Sequence, residues 1–353
     1  MSHRDLKYGH LTSFSISNFT TFGDVEFTWA AGINVLVGEN ATGKTHVLKA
    51  LYALHKSVFE NSSVADRLRG CFQVSNNSSL IRSGMMSSSL AASWGGERLG
   101  VTVAPNGNVG WSSSGNQVDV SKPVFIPAKD MLAHSAGFVS LVSSRNLSFD
   151  ETYSDVILAA MAPALNEVAR QSSEELLQLL ALNIRGRVEV EADRFYHVSE
   201  LGRLEMSLIA EGWRKLALLY QLIANGSLLP GTVLFWDEPE TNLNPALMDE
   251  VVLVLLKLSR MGVQIFLATH SYIILREIEV QSSPTDEVRF FALDSTAEHG
   301  TKVNVAATYL DIRPNPIERQ YASLYDRSIQ KEIEAIDSAE DRGVSSGRAI
   351  EKD

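Results

Sequence analysis

The chain has 353 residues, 45% of them hydrophobic and 21% charged, with a formal net charge of −11. That length can bury a full core, and the acidic balance excludes a surface that draws nucleic acid by net charge, leaving only a local basic stripe. The single cysteine, Cys71, excludes an internal disulfide and a cysteine-built zinc site.

Residues 1–5 are charged and lack the apolar stretch of a secretory leader. Residues 11–16 alternate apolar and polar, and 25–29 do so again after the turn signal Gly23-Asp24, which predicts two strands. Residues 33–37 form a mostly apolar run ending at Gly38, as a buried strand does. From Lys44 the residues Val47, Leu48, Leu51 and Leu54 share one helical face.

Residues 60–122 turn rich in Ser, Gly and Asn, and depart most from the rest of the chain. They are the expected seat of partner specificity, with a solvated variable insertion as the alternative. Within them, 99–103 and 109–111 flank Pro105-Asn106-Gly107-Asn108 as a hairpin. A short buried strand is predicted at 124–127, then helical spacing over 153–182 broken at Pro163. Residues 187–195 and 203–209 read as the two strands of a second hairpin, followed by a helix over 213–224.

Residues 232–236 predict a buried strand ending in Asp237-Glu238-Pro239. A helix over 245–261 leads to a strand at 263–268 that ends in Thr269-His270-Ser271. Strand, helix and strand at this spacing make a right-handed crossover of a parallel sheet. A terminal helix is expected over 324–336, and the polar tail from Asp337 is expected to be loose. No run approaches the 18 to 20 apolar residues of a membrane span; residues 251–256 come closest and stop at Lys257. The expectation is a cytoplasmic protein without membrane contact.

Gly38-Glu39-Asn40-Ala41-Thr42-Gly43-Lys44-Thr45 matches G-x-x-x-x-G-K-[ST] between a buried strand and an amphipathic helix. Such a match arises by chance in roughly one chain of this length in a hundred. Its backbone N–H groups and the helix N-terminus suit phosphate oxygens; Lys44 reaches the β- and γ-phosphates, and the Thr45 hydroxyl suits Mg²⁺. Asp237 ends an apolar strand, where it can hold Mg²⁺ through water, while Glu238 can act as general base toward the attacking water. His270, after the next buried strand, can bond the γ-phosphate and align that water. ATP and Mg²⁺ are therefore the expected ligands.

Together with Glu240-Thr241-Asn242-Leu243-Asn244-Pro245, which is like a D-loop, and Ala268-Thr269-His270-Ser271, which is like an H-loop, these motifs resemble an ABC-class ATPase. The opening Phe14-Ser15-Ile16-Ser17-Asn18-Phe19 is similar to the SMC-related and OLD-like AAA family ATPases rather than to transporter subunits. The resemblance implies an α/β P-loop NTPase fold: an ABC-type core with a mixed, mostly parallel sheet flanked by helices, an antiparallel β arm and a helical subdomain. Residues 1–337 would form one such domain, with core 11–59 and 210–300, an inserted β and helical region at 60–209, and a flexible tail at 338–353.

The resemblance also implies a homodimer, or a higher homo-oligomer, that sandwiches ATP, each site completed by a signature motif of the other protomer. Ala210-Glu211-Gly212-Trp213-Arg214-Lys215 is similar to that motif, with Gly212 matching its glycine. Ala210 replaces the family serine, and Arg214 or Lys215 is the expected compensation. No glutamine loop is present after 124–127; Lys129 or Asp130 is its expected stand-in. Phe19 reads first as a residue buried in the arm sheet and second as a candidate to stack on adenine. Asp294 and Asp311 do not form the acidic set of a Toprim domain, so no intrinsic nuclease is expected, and no long heptad coiled coil is present. The implied role is an ATP-driven switch for a separately encoded effector, a nuclease or toxin, in bacterial antiphage defence. A DNA-clamping repair ATPase is the second reading and a transporter ATPase the third.

Overall fold

The computed structural model describes residues 9–114, 120–145, 149–165, 173–296 and 300–347. The charged residues 1–5, the stretch 166–172 inside the predicted helical region, and the tail after 347 lie outside the described residues. The apolar and alternating runs become strands β1 Leu11–Ser17, β2 Asp24–Thr28, β3 Ile33–Gly38, β4 Ser88–Trp94, β5 Glu97–Val103, β6 Val109–Ser113 and β7 Lys122–Ile126. They continue with β8 Arg187–Glu191, β9 Arg194–Ser199, β10 Gly202–Glu205, β11 Thr232–Asp237, β12 Gln264–Thr269, β13 Val288–Thr296 and β14 Gly300–Ala306.

Six strands form a central sheet in the order β14-β13-β3-β12-β11-β7. All neighbours are parallel except β14, which pairs antiparallel with β13. The sheet is therefore mixed and mostly parallel, with helices between its strands. Strands β11 and β12 are buried at every residue, as expected of strands covered on both faces. Along them Val233, Phe235, Phe266 and Ala268 join one core, while Leu234, Trp236, Ile265 and Leu267 are equally buried on the other face.

A second, antiparallel sheet has the order β2-β1-β4-β5-β6. Its inner face contributes Phe14, Ile16, Leu90, Ala92, Trp94 and Val101 to the same core as Phe235 and the helix Lys44–Phe59. Two polar contacts tie this lobe to the central sheet. The Gln264 amide donates to the carbonyls of Leu11 and Ala30 at 2.8 Å each and accepts from the Leu11 N–H at 2.9 Å. The Trp94 indole N–H donates to His55 Nδ1 at 3.0 Å, and His55 Nε2 lies 2.7 Å from the Ser121 carbonyl. Because the indole is only a donor and the carbonyl only an acceptor, His55 carries its proton on Nε2. Full burial pushes its pKa down to about 4, with the bond to Ser121 opposing.

Three regions differ from the sequence expectations. The predicted two-strand hairpin at 187–209 is a three-stranded meander, order β10-β9-β8, followed by a 3₁₀ turn at Met206–Leu208. The extra turn falls at Ala192, which adopts a φ of 55°, and the Asp193 carboxylate beside it accepts from the Gly137 N–H. The polar stretch 60–122 holds a helix, Val64–Phe72, and strand β4, neither of which was expected. The terminal helix is longer than predicted, Pro316–Gly347. The chain divides into two compact units, Met1–Pro314 and Asn315–Asp353. In the second unit the side chains from Arg319 to Ala335 are exposed. Among the described residues no helix is long and apolar enough to cross a membrane.

Candidate nucleotide site

Parallel pairing carries the C-terminal ends of β3, β12 and β11 to one edge, with β12 between the other two. Thr269 aligns with Val37, and Ala268 with Asp237. Gly38, Asp237 and His270 follow from those ends, at the edge where open α/β sheets bind ligands.

The loop after β3 exposes Glu39, Asn40 and Ala41 and buries Thr42, Gly43 and Lys44. Ala41 and Gly43 hold φ angles of 66° and 96°, and a Cβ on Gly43 would lie 2.6 Å from the Phe22 ring, so this position admits only glycine. The Thr42 hydroxyl donates to the Glu39 carbonyl at 2.9 Å. Lys44 Nζ spans the loop, donating to the carbonyls of Gly38 and Glu39 at 2.8 Å each. Burial lowers its pKa, against the opposing pull of Glu238, Asp237 and Glu240. The helix Lys44–Phe59 begins here with no side-chain cap and no acidic residue in its first turn. Its free N–H groups and positive end fit a phosphate chain.

The Thr45 hydroxyl lies 2.9 to 3.0 Å from both carboxylate oxygens of Asp237, across the width of two strands. Burial pushes the Asp237 pKa up to about 6, opposed by the Thr45 bond and by Lys49 and Lys44. A buried carboxylate raised in this way beside a hydroxyl is suited to a small hydrated cation, and this pair would hold Mg²⁺. Among the described residues no group of three His, Cys, Asp or Glu side chains could hold a metal by itself.

Glu238 follows with a φ of 48°, a left-handed conformation that costs a non-glycine residue on the order of 1 to 2 kcal/mol. Its N–H donates to the Ala268 carbonyl at 2.9 Å and its carboxylate accepts from the Thr241 hydroxyl at 3.0 Å. His270 Nδ1 lies 3.6 Å from Glu238 and 3.4 Å from Glu240. Glu240 is buried; its Oε1 accepts from the Thr269 hydroxyl at 2.8 Å and from the His270 N–H at 2.9 Å, while its Oε2 has no hydrogen-bond partner. The sequence marks Glu240 only as the start of the D-loop-like stretch and not as a partner of His270. Its signal is an acidic residue two positions beyond Glu238, in a turn whose burial requires donors.

Other expected site residues lie elsewhere. Phe19 is fully buried against Phe72 in an edge-to-face contact, so its ring cannot stack on adenine, and burial in the arm is its observed state. Asp130 is buried and accepts from Arg214 Nε at 2.6 Å, while Arg214 also donates to the Ile209 carbonyl at 2.7 Å. Lys129 is exposed. Lys215 is buried, with Nζ 3.1 Å from the Glu238 carbonyl and 3.4 Å from that of Pro239. Arg214 and Lys215 are thus engaged within their own chain. Gly212 lies against the same turn, where a Cβ would sit 3.1 Å from the Asn242 carbonyl, and the Asn242 amide donates to Glu211 at 2.8 Å.

A family model described as "AAA domain, putative AbiEii toxin, Type IV TA system" matches residues 135–276. The DNA replication and repair protein RecF of Limosilactobacillus fermentum is 46% identical over 44 residues, 12% of this chain and 12% of that protein. RecF of Pediococcus pentosaceus is 42% identical over 45 residues, 13% of this chain and 12% of its own length. The chain thus spans about an eighth of the length of these curated relatives. Among solved structures, an SMC head bound to the C-terminal winged-helix domain of ScpA superposes with a TM-score of 0.58 at 13% identity, covering 85% of this chain and 98% of that one. An SMC head with coiled coil and joint from Pyrococcus yayanosii gives 0.57 at 10% identity, covering 88% and 99%. These likenesses establish the fold: an ABC-type, SMC-related P-loop ATPase fold.

Proposed function

We propose that this SMC-related P-loop fold binds Mg²⁺ and ATP, hydrolyses the nucleotide, and uses the cycle as a switch that controls a separately encoded effector. The observation that carries the ATPase reading is the contact between Thr45 and Asp237, which joins two distant motifs at one sheet edge beside Lys44, Glu238 and His270. Bound Mg²⁺ would neutralise phosphate charge and orient the oxygens. The chain's own residues supply the rest. Lys44 exchanges its loop carbonyls for phosphate oxygens, and the uncapped helix end receives the remaining charge. Glu238 accepts a proton from the attacking water, and His270, within reach of Glu238 and Glu240, bonds the γ-phosphate.

Gly212 and the start of the helix Glu211–Ala224 would meet the nucleotide of a second protomer, making a homodimer the working form. The proposed role is control of an effector in bacterial antiphage defence, in the cytoplasm; the matched family description names a toxin–antitoxin system, which pairs two components. The RecF matches favour a second reading, a DNA-handling repair ATPase. ATP turnover of purified protein tests the common core. Lys44→Ala should abolish nucleotide binding or turnover, and Glu238→Gln should lower kcat by about a hundredfold or more while retaining bound ATP. Wild-type turnover in the second variant removes Glu238 as base. Salt-dependent DNA binding that tightens with ATP supports the repair reading; effector activity that is lost with Lys44→Ala supports the switch.

A further inference from the structure

The catalytic turn is gripped by one face of a neighbouring helix. Glu211 and Lys215, four residues apart on Glu211–Ala224, point to the same side. Glu211 accepts from Asn242 at the far end of the turn, and Lys215 Nζ reaches the carbonyls of Glu238 and Pro239 at its near end. Between them lies Gly212, with room for no more than a tight Cβ against the Asn242 carbonyl. We infer that Lys215 is a positioning residue: by bonding two successive main-chain carbonyls, its ammonium holds Glu238 in the left-handed conformation and so aims the Glu238 carboxylate.

Three observations carry this. Lys215 is 3% exposed, so its charge is placed there in preference to water. Among the described residues its ammonium bonds main-chain carbonyls only, although the carboxylates of Glu240, Glu211, Asp130 and Glu238 surround it and raise its pKa against burial, which brings it down to about 8. A protonated donor is thus retained at neutral pH. Finally, Glu238 has a φ of 48°, a backbone state that persists only when its surroundings over-determine it. The other bonds here run from the Glu238 N–H to the Ala268 carbonyl, from the Thr241 N–H to the Glu238 carbonyl and from the Thr241 hydroxyl to the Glu238 carboxylate, all within the strand-end segments themselves. Lys215 is the anchor from a separate element.

The inference rests on Glu238 as the general base, and the test separates the two. Lys215→Met keeps the stem and removes the donor. In the full chain it should lower kcat by about tenfold to a hundredfold, the scale of a misplaced catalytic group, while affinity for a fluorescent ATP analogue stays within about threefold. Combined with Glu238→Gln, it should add no further loss to the residual single-turnover rate, because it acts through that side chain. The inference is overturned by a folded Lys215→Met with kcat within about twofold of wild type, by parallel loss of ATP affinity and turnover, or by a full additive loss in the double variant. If Lys215→Met does not fold, Lys215→Leu, which likewise removes the donor, takes its place with the same expectations. Failure of both to fold marks Lys215 as a core residue and equally overturns the inference. A Glu238→Gln variant at wild-type rate refutes the base itself, whatever Lys215 does.

Discussion

Strands β11 and β12 are buried along their whole length, whereas β4 in the lobe fully buries only alternate residues: Ser88, Leu90, Ala92 and Trp94. The two sheets meet in one core, yet they leave different marks on the chain. A strand covered on both faces is a continuous apolar run whose polar residues are pushed to its end, and there they become the site. A strand covered on one face spreads small polar residues along its length, and its open face carries Ser15, Ser89 and Gly100. Chemistry concentrates where apolar burial stops abruptly.

That contrast can be broken in order of expected effect. Phe235→Ala in the doubly covered sheet removes a ring stacked on Phe266 at 5.1 Å, and should cost about 3 to 5 kcal/mol by chemical denaturation. A cost below about 1 kcal/mol would put the core elsewhere. The join between sheet and lobe should respond to acid. His55 has a folded pKa of about 4 against its ordinary value of 6.5, so the unfolded chain binds the extra proton between those values. Its contribution is complete above pH 6.5 and is lost as pH falls toward 4; about 2 kcal/mol should disappear between pH 7 and pH 5. Asp237, pushed up to about 6, works in the opposite direction, so the readout is the difference in pH slope between wild type and His55→Gln.

Trp94→Phe leaves His55 Nδ1 without its donor and should cost about 1 to 2 kcal/mol, a figure that thermal or urea unfolding resolves. On the open face of the lobe, Ser89→Thr should change stability by less than about 0.5 kcal/mol. A larger loss would show that this face is covered.

The same contrast explains what could be read from residue order alone. The site was legible because β3, β11 and β12 are apolar runs with polar ends, which placed Gly38, Asp237 and His270 at one edge. Strand β4 was hidden because Ser-Ser-Leu-Ala-Ala-Ser-Trp offers few large side chains; Ala92 does the inner-face work that a larger residue would have announced. Phe19 was left between two readings because an aromatic near a phosphate loop suits both adenine and a core, and only packing against Phe72 decides. The helix at Pro316–Gly347 starts at a buried Asn315 whose side chain accepts from the Glu318 N–H, a cap that lies ahead of the apolar spacing from which the helix was predicted, so its length was out of reach. Arg214 and Lys215 looked free for a partner's nucleotide because pairing with Asp130, Glu238 and Pro239 depends on chain crossings that spacing does not encode.

Gln264 has a consequence of its own. It serves three main-chain atoms from β1 and the turn before β3 with two donors and one acceptor, all from a buried strand that leads to His270. Glutamate has the reach but would face two carbonyl oxygens with no proton to offer; asparagine has the proton pattern but falls one methylene short. One side chain therefore stitches the first strand to the strand that ends beside His270, and that seam leaves the two little freedom to shift independently.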